Sequence, residues 1–135
     1  MSTELDRQRV ANLIILGHSH RPTDMNVLLM NKIKWLKEHI IDERTPIEWV
    51  HQFLKAVTGS TYLHSDDNIK VVPVHFDRNS YCTSHTCTNQ LDVSPVYNDL
   101  PGISDEELSL MEPKDIFIRN LSVGLLANNN VMELA

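Results

Sequence analysis

The sequence predicts an α+β fold, with helices followed by a small sheet and a last helix. Three features carry that expectation. Apolar residues recur at helical spacing through the first half, they shift to two-residue alternation after Gly59, and a helical stripe returns near the C-terminus. The chain has 135 residues, 41% of them apolar, enough for one domain with a core of its own.

Taken in order, Thr3 to Leu16 reads as a helix stopped near Gly17, and "HSHRPTD" as a connection in which Pro22 forbids a helix. Asp24 can cap the next helix. Its stripe is Leu29, Ile33, Leu36 and Ile40, and it ends near Asp42. Thr45-Pro46 then supplies a cap residue and a proline for the first helical position, with Ile47, Val50, Leu54 and Val57 buried and Gly59 as the stop.

"IKVVPVHF" alternates like a strand, and Pro73 places it at a sheet edge or a bulge. Tyr81 to Leu91 reads as a weaker extended segment, and "DVSPVYNDLPGISD" as loop. Ser104 with Glu107 forms a capping box. The last helix runs from about Lys114 to Leu126, with Phe117, Leu121 and Leu125 on one face. The tail "NNNVMELA" has little to bury and is expected to be mobile.

The net charge of −6 argues against a nucleic-acid binder, which needs a basic face. It argues equally against a basic protein of the membrane surface. No apolar run approaches the ~20 residues that cross a bilayer, and "MSTELDRQRV" lacks the apolar centre of a signal peptide. A cytoplasmic or nuclear location is expected, with both cysteines as free thiols.

Two segments suggest metal sites. "LIILGHSHRP" is similar to one metal-binding motif of the metallophosphoesterases, but the further ligands those two-metal sites need do not precede His18. An exposed polar turn is the better reading. In "CTSHTC", Cys82, His85 and Cys87, with His75 as a fourth ligand, would make a zinc site. The usual two close pairs are absent, and on a strand Cys82 would face away from the other two. No metal or cofactor is expected. The chemistry leaves two readings for Cys87. One is an inert buried thiol. The other is a nucleophile activated by His85 among polar neighbours that include Asp92. Cys82 reads as a core residue.

The segment "SHTCTNQLDVSPVY" resembles the active-site segment of HECT-type ubiquitin ligases. Thr86-Cys87, Leu91-Asp92, Pro95 and Tyr97 carry the match, with one extra residue before Pro95. Upstream, "WVHQFLKAVTGSTYL" resembles the family's helix ending in Val-Thr-Gly-Ser, and "KIKWLKEHI" the helix before it. The resemblance implies a C-terminal lobe of a HECT domain over residues 31–135, with residues 1–30 as a helical extension or the end of a preceding domain. It implies Cys87 as the residue that takes ubiquitin as a thioester from a ubiquitin-conjugating enzyme and passes it to a substrate lysine. Asp92 would orient or deprotonate that lysine, with His85 beside the thiol, unless Asp92 only forms a turn in "DVSP".

The implied partners are ubiquitin, a protein substrate, and a conjugating enzyme held by a larger N-terminal lobe without counterpart in these residues. Three features depart from the family. Thr88 stands where an aromatic residue is usual, the segment from Asn98 to Pro113 is longer, and Met132 occupies the place of a tail phenylalanine. They motivate an alternative, a degenerate lobe that binds ubiquitin or another protein without catalysis. A small zinc-binding module on Cys82, His85 and Cys87 is a third reading.

Overall fold

The computed structural model describes residues 6–17, 23–60, 68–74 and 77–126. The order of elements is α1 (Arg7–Leu13), β1 (Ile14–Leu16), α2 (Thr23–Ile41), α3 (Ile47–Thr58), β2 (Ile69–Pro73), β3 (Thr83–His85), β4 (Gln90–Val93), α4 (Asp105–Leu108) and α5 (Pro113–Leu121). A 3₁₀ turn at Thr86–Thr88 joins β3 to β4, and a π-helical turn at Ser122–Leu126 follows α5. The α+β class holds, and the described residues include four strands in one mixed sheet ordered β1-β2-β4-β3. β1 and β4 both run parallel to β2, and β3 is antiparallel to β4.

The register sorts the side chains. Ile14 pairs with Ile69, Val71 with Leu91, and Pro73 with Val93. Since side chains alternate along a strand, these residues line one face. That face meets the stripes of α2 and α3, and Leu29, Leu36, Ile40, Val50, Phe53, Leu54, Val57, Ile69 and Leu91 are all fully buried. Burying one such side chain contributes roughly 1.5–3 kcal/mol. The opposite face carries Lys70, Val72, Gln90, Asp92, Thr83 and His85, and there the polar site is built.

The structure corrects the sequence reading at several points. The first helix ends at Leu13, and Ile14–Leu16 form a strand. An uninterrupted apolar run does not separate helix from strand by periodicity. Residues 7–17 therefore enter the same sheet and core as the rest, and the division at residue 30 falls inside α2. Asp24 lies within α2, which starts at Thr23. Pro46 occupies the cap position of α3, and Thr45 donates its hydroxyl to the His39 carbonyl at 2.7 Å instead of capping.

Pro73 sits in an interior strand. It is tolerated because β1 ends at Leu16, opposite Val71, so among the described residues no strand lies beside the position of the absent N–H. Tyr81 to Leu91 is not one extended segment. It holds β3, the 3₁₀ turn and the start of β4, and Asp92 and Val93 belong to that strand, not to a loop. Gly59 ends α3 in the left-handed region (φ 85°), as expected, and the Ser104 hydroxyl accepts from the Glu107 N–H. The last helix becomes π-helical after Leu121, yet Phe117, Leu121 and Leu125 are buried as its stripe required. His18, His20, His75 and the tail with Met132 lie outside the described residues. Among the described residues, no helix is long and apolar enough to cross a membrane.

Candidate functional site

The two cysteines have opposite surroundings. Cys82 is 5% exposed in the core, and its N–H donates to Asn120 Oδ1 at 3.1 Å. Burial pushes its thiol up to about 12, so it is an inert acid at neutral pH. Cys87 is exposed, at the centre of the 3₁₀ turn. A core thiol is thus the right reading for Cys82 and the wrong one for Cys87. His85 ends β3 just before the turn, so it and Cys87 do not share a face of one strand.

The turn is held from three sides. Asn89 closes it in the left-handed region (φ 50°), a conformation asparagine tolerates well, and its carbonyl accepts from Lys70 N–H at 2.9 Å. Ser84 donates its hydroxyl to the Ala56 carbonyl at 2.6 Å. A Cβ placed on Gly59 would lie 3.7 Å from the Thr86 Cβ, so the end of α3 packs directly on the turn. The Val-Thr-Gly-Ser segment and the Thr-Cys segment, far apart in sequence, therefore meet in space.

Asp92 is placed by the strand register. Thr83 lies opposite Asp92 and His85 opposite Gln90, so all four side chains share the outer face. Asp92 is buried and accepts on both oxygens. Gln90 Nε2 donates to Oδ1 at 2.7 Å. His85 Nε2 lies 2.7 Å from Oδ2, which also accepts from the Thr83 hydroxyl at 3.4 Å. An ionised carboxylate is what this donor set satisfies. The Asp92 side chain bonds other side chains, not its own backbone, so the turn-forming reading does not hold. With Nε2 committed to Asp92, Nδ1 is the nitrogen of the half-exposed His85 ring left for other chemistry. Thr83 and Gln90 were not singled out from sequence; their signal is the two-residue spacing from His85 and Asp92.

The zinc arrangement is not assembled by these positions, because Cys82 faces the core and Cys87 solvent. Among the described residues, no three His, Cys, Asp or Glu side chains are grouped to hold a metal ion.

Beyond β4 the chain is tied down by a buried cation. Lys32 of α2 is 6% exposed, and Nζ donates to the Ser94 carbonyl at 2.6 Å and the Tyr97 carbonyl at 2.5 Å, above the Phe117 ring. Burial lowers its pKa from 10.5 to about 8, against the smaller pull of Cys82 and Asp99. The unfolded lysine keeps its proton up to 10.5, so its contribution to stability rises with pH between about 8 and 10.5. Cys82 acts in the opposite sense. Its contribution is complete below 9.0 and is lost as pH climbs towards about 12. Urea unfolding from pH 7 to 11 should therefore show Lys32→Met losing the rise that begins near pH 8 while keeping the fall above 9. Parallel curves for the two proteins would contradict this assignment.

A scan of protein-family models finds none that matches the chain, and a search of curated proteins finds no match either.

Proposed function

We propose that the chain is a ubiquitin-protein transferase lobe of the HECT type, in which Cys87 carries the thioester. The observation that supports this reading best is the exposure of Cys87 on a braced turn beside the His85–Asp92 pair, while the other cysteine is buried. In the first step the Cys87 thiolate adds to the carbonyl carbon of ubiquitin's thioester with a conjugating enzyme, and that enzyme's thiolate leaves. In the second, the lysine nitrogen adds to the same carbon, the C–N bond forms, and Cys87 leaves as thiolate.

The attacking nitrogen must lose a proton, and His85 Nδ1, at the end of β3 next to the turn, is the base. Asp92 is buried with both oxygens occupied by protein donors, so it acts through His85, fixing the ring and stabilising the imidazolium, rather than by touching the lysine. The conjugating enzyme would be held by a separate N-terminal lobe, whose contribution is proximity, roughly 7–11 kcal/mol at best.

The test uses the chain fused to a HECT N-terminal lobe, loaded with ubiquitin and then chased with free lysine. Asp92→Asn should still form a thiol-sensitive adduct but discharge it about 10²-fold more slowly. Equal loss of both steps would indicate a folding defect instead. Exposed Thr88, at the family's aromatic position, favours the degenerate lobe as a second reading. Ubiquitin binding with no adduct in any variant would select it.

A further inference from the structure

Gln90 does work in this site that the proposed chemistry does not yet assign. It starts β4 and is half-buried, and its amide donates to Asp92 Oδ1 at 2.7 Å. A carboxylate with one oxygen unclaimed can rotate about its χ2 and offer either oxygen to a neighbouring imidazole. Here Oδ1 is claimed by Gln90, so Oδ2 alone is presented to His85 and to the Thr83 hydroxyl. The strand register makes this a fixed arrangement. Gln90 and Asp92 are two residues apart on one face of β4, and His85 lies directly across from Gln90 on β3.

We propose that Gln90 is a positioning residue of the Cys87 site: its amide locks the Asp92 carboxylate, which in turn sets the ring orientation of His85 and leaves Nδ1 as the proton acceptor. Gln90 touches no reacting atom and acts through Asp92. The catalytic consequence rests on the ubiquitin-transfer reading; the coupling of Gln90 to the His85 ring does not.

The property required of position 90 is an N–H donor directed at Oδ1. Leucine keeps the bulk of glutamine and removes the donor. Arginine keeps a donor, delivers it from a longer stem, and pairs well with a carboxylate. The two substitutions therefore separate loss of a donor from loss of packing.

The first experiment needs no ubiquitin. In the full chain labelled with nitrogen-15, the His85 Nε2–H proton should give a protected, downfield signal. Gln90→Leu should broaden or abolish that signal while the amide spectrum away from β3 and β4 is kept, and Gln90→Arg should restore it. An unchanged His85 signal in Gln90→Leu would overturn the proposal.

The second experiment uses the fused, ubiquitin-loaded chain. Gln90→Leu should slow discharge to lysine roughly tenfold more than it slows loading, a part of the ~10²–10⁴ that a positioned base contributes. Gln90→Arg should recover most of it. Loading and discharge falling in step, with no recovery in Gln90→Arg, would overturn the catalytic role. Absence of any adduct in the unsubstituted chain, with the His85 signals behaving as expected, would remove the transfer reading and leave the positioning contact standing.

Discussion

Replacing Asn120 by leucine is expected to destabilise the fold by about 3–5 kcal/mol. Asn120 is 8% exposed on α5, and its amide has three partners on two other segments. Oδ1 accepts from Cys82 N–H, and Nδ2 donates to the Asp99 carbonyl at 2.7 Å and the Ser80 carbonyl at 3.3 Å. One side chain thus joins the last helix to the entry of β3 and to the chain leaving β4. Leucine has similar bulk and satisfies none of the three groups. An unpaired buried N–H or carbonyl costs about 1–3 kcal/mol, more than the net worth of the bond it loses. Urea unfolding followed by circular dichroism measures the loss. Asn120→Asp keeps the acceptor for Cys82 and loses both donors, so it should also destabilise. A loss below about 1 kcal/mol for Asn120→Leu would contradict the role given to this amide.

The same residue shows what the sequence hides. Phe117, Leu121 and Leu125 announce a helix face by their spacing, and so do Leu29, Ile33, Leu36 and Ile40. Asn120 beside Leu121, and Lys32 beside Ile33, look like the polar flank of such a face. Both are buried, because each ends on backbone carbonyls that only the tertiary fold brings near. β1 was concealed for the opposite reason, since "LIIL" suits a buried strand and a buried helix equally.

At the candidate site, Cys87 could be singled out by its neighbours, but its exposure could not. That depends on a turn closed by Asn89 at positive φ, where the alternation of a strand no longer applies. His85 and Asp92 are seven residues apart, a separation that means nothing until β3 folds back on β4 in register. Asp92 in "DVSP" has the signature of a turn. It joins the sheet instead because Leu91 and Val93, on either side of it, are drawn into the core.

The largest effect on activity is expected at Cys87. A nucleophile must be reachable and able to ionise. Cys87 is exposed on its turn, two residues after His85, whose ring is held against a buried carboxylate. Cys82 meets neither condition, since it is buried and its thiol is pushed up to about 12. On the proposed reading, alanine at 87 removes the sulfur that would carry the thioester. Alanine at 82 removes a small core group and should cost on the order of 1 kcal/mol of stability without touching the chemistry. The direct measurement is a non-reducing gel of the fused chain after exposure to a ubiquitin-charged conjugating enzyme. A thiol-sensitive ubiquitin adduct should form with the unsubstituted chain and with Cys82→Ala, and should be absent with Cys87→Ala. An adduct that survives Cys87→Ala and disappears in Cys82→Ala would contradict the account, as would the absence of an adduct from every form of the protein.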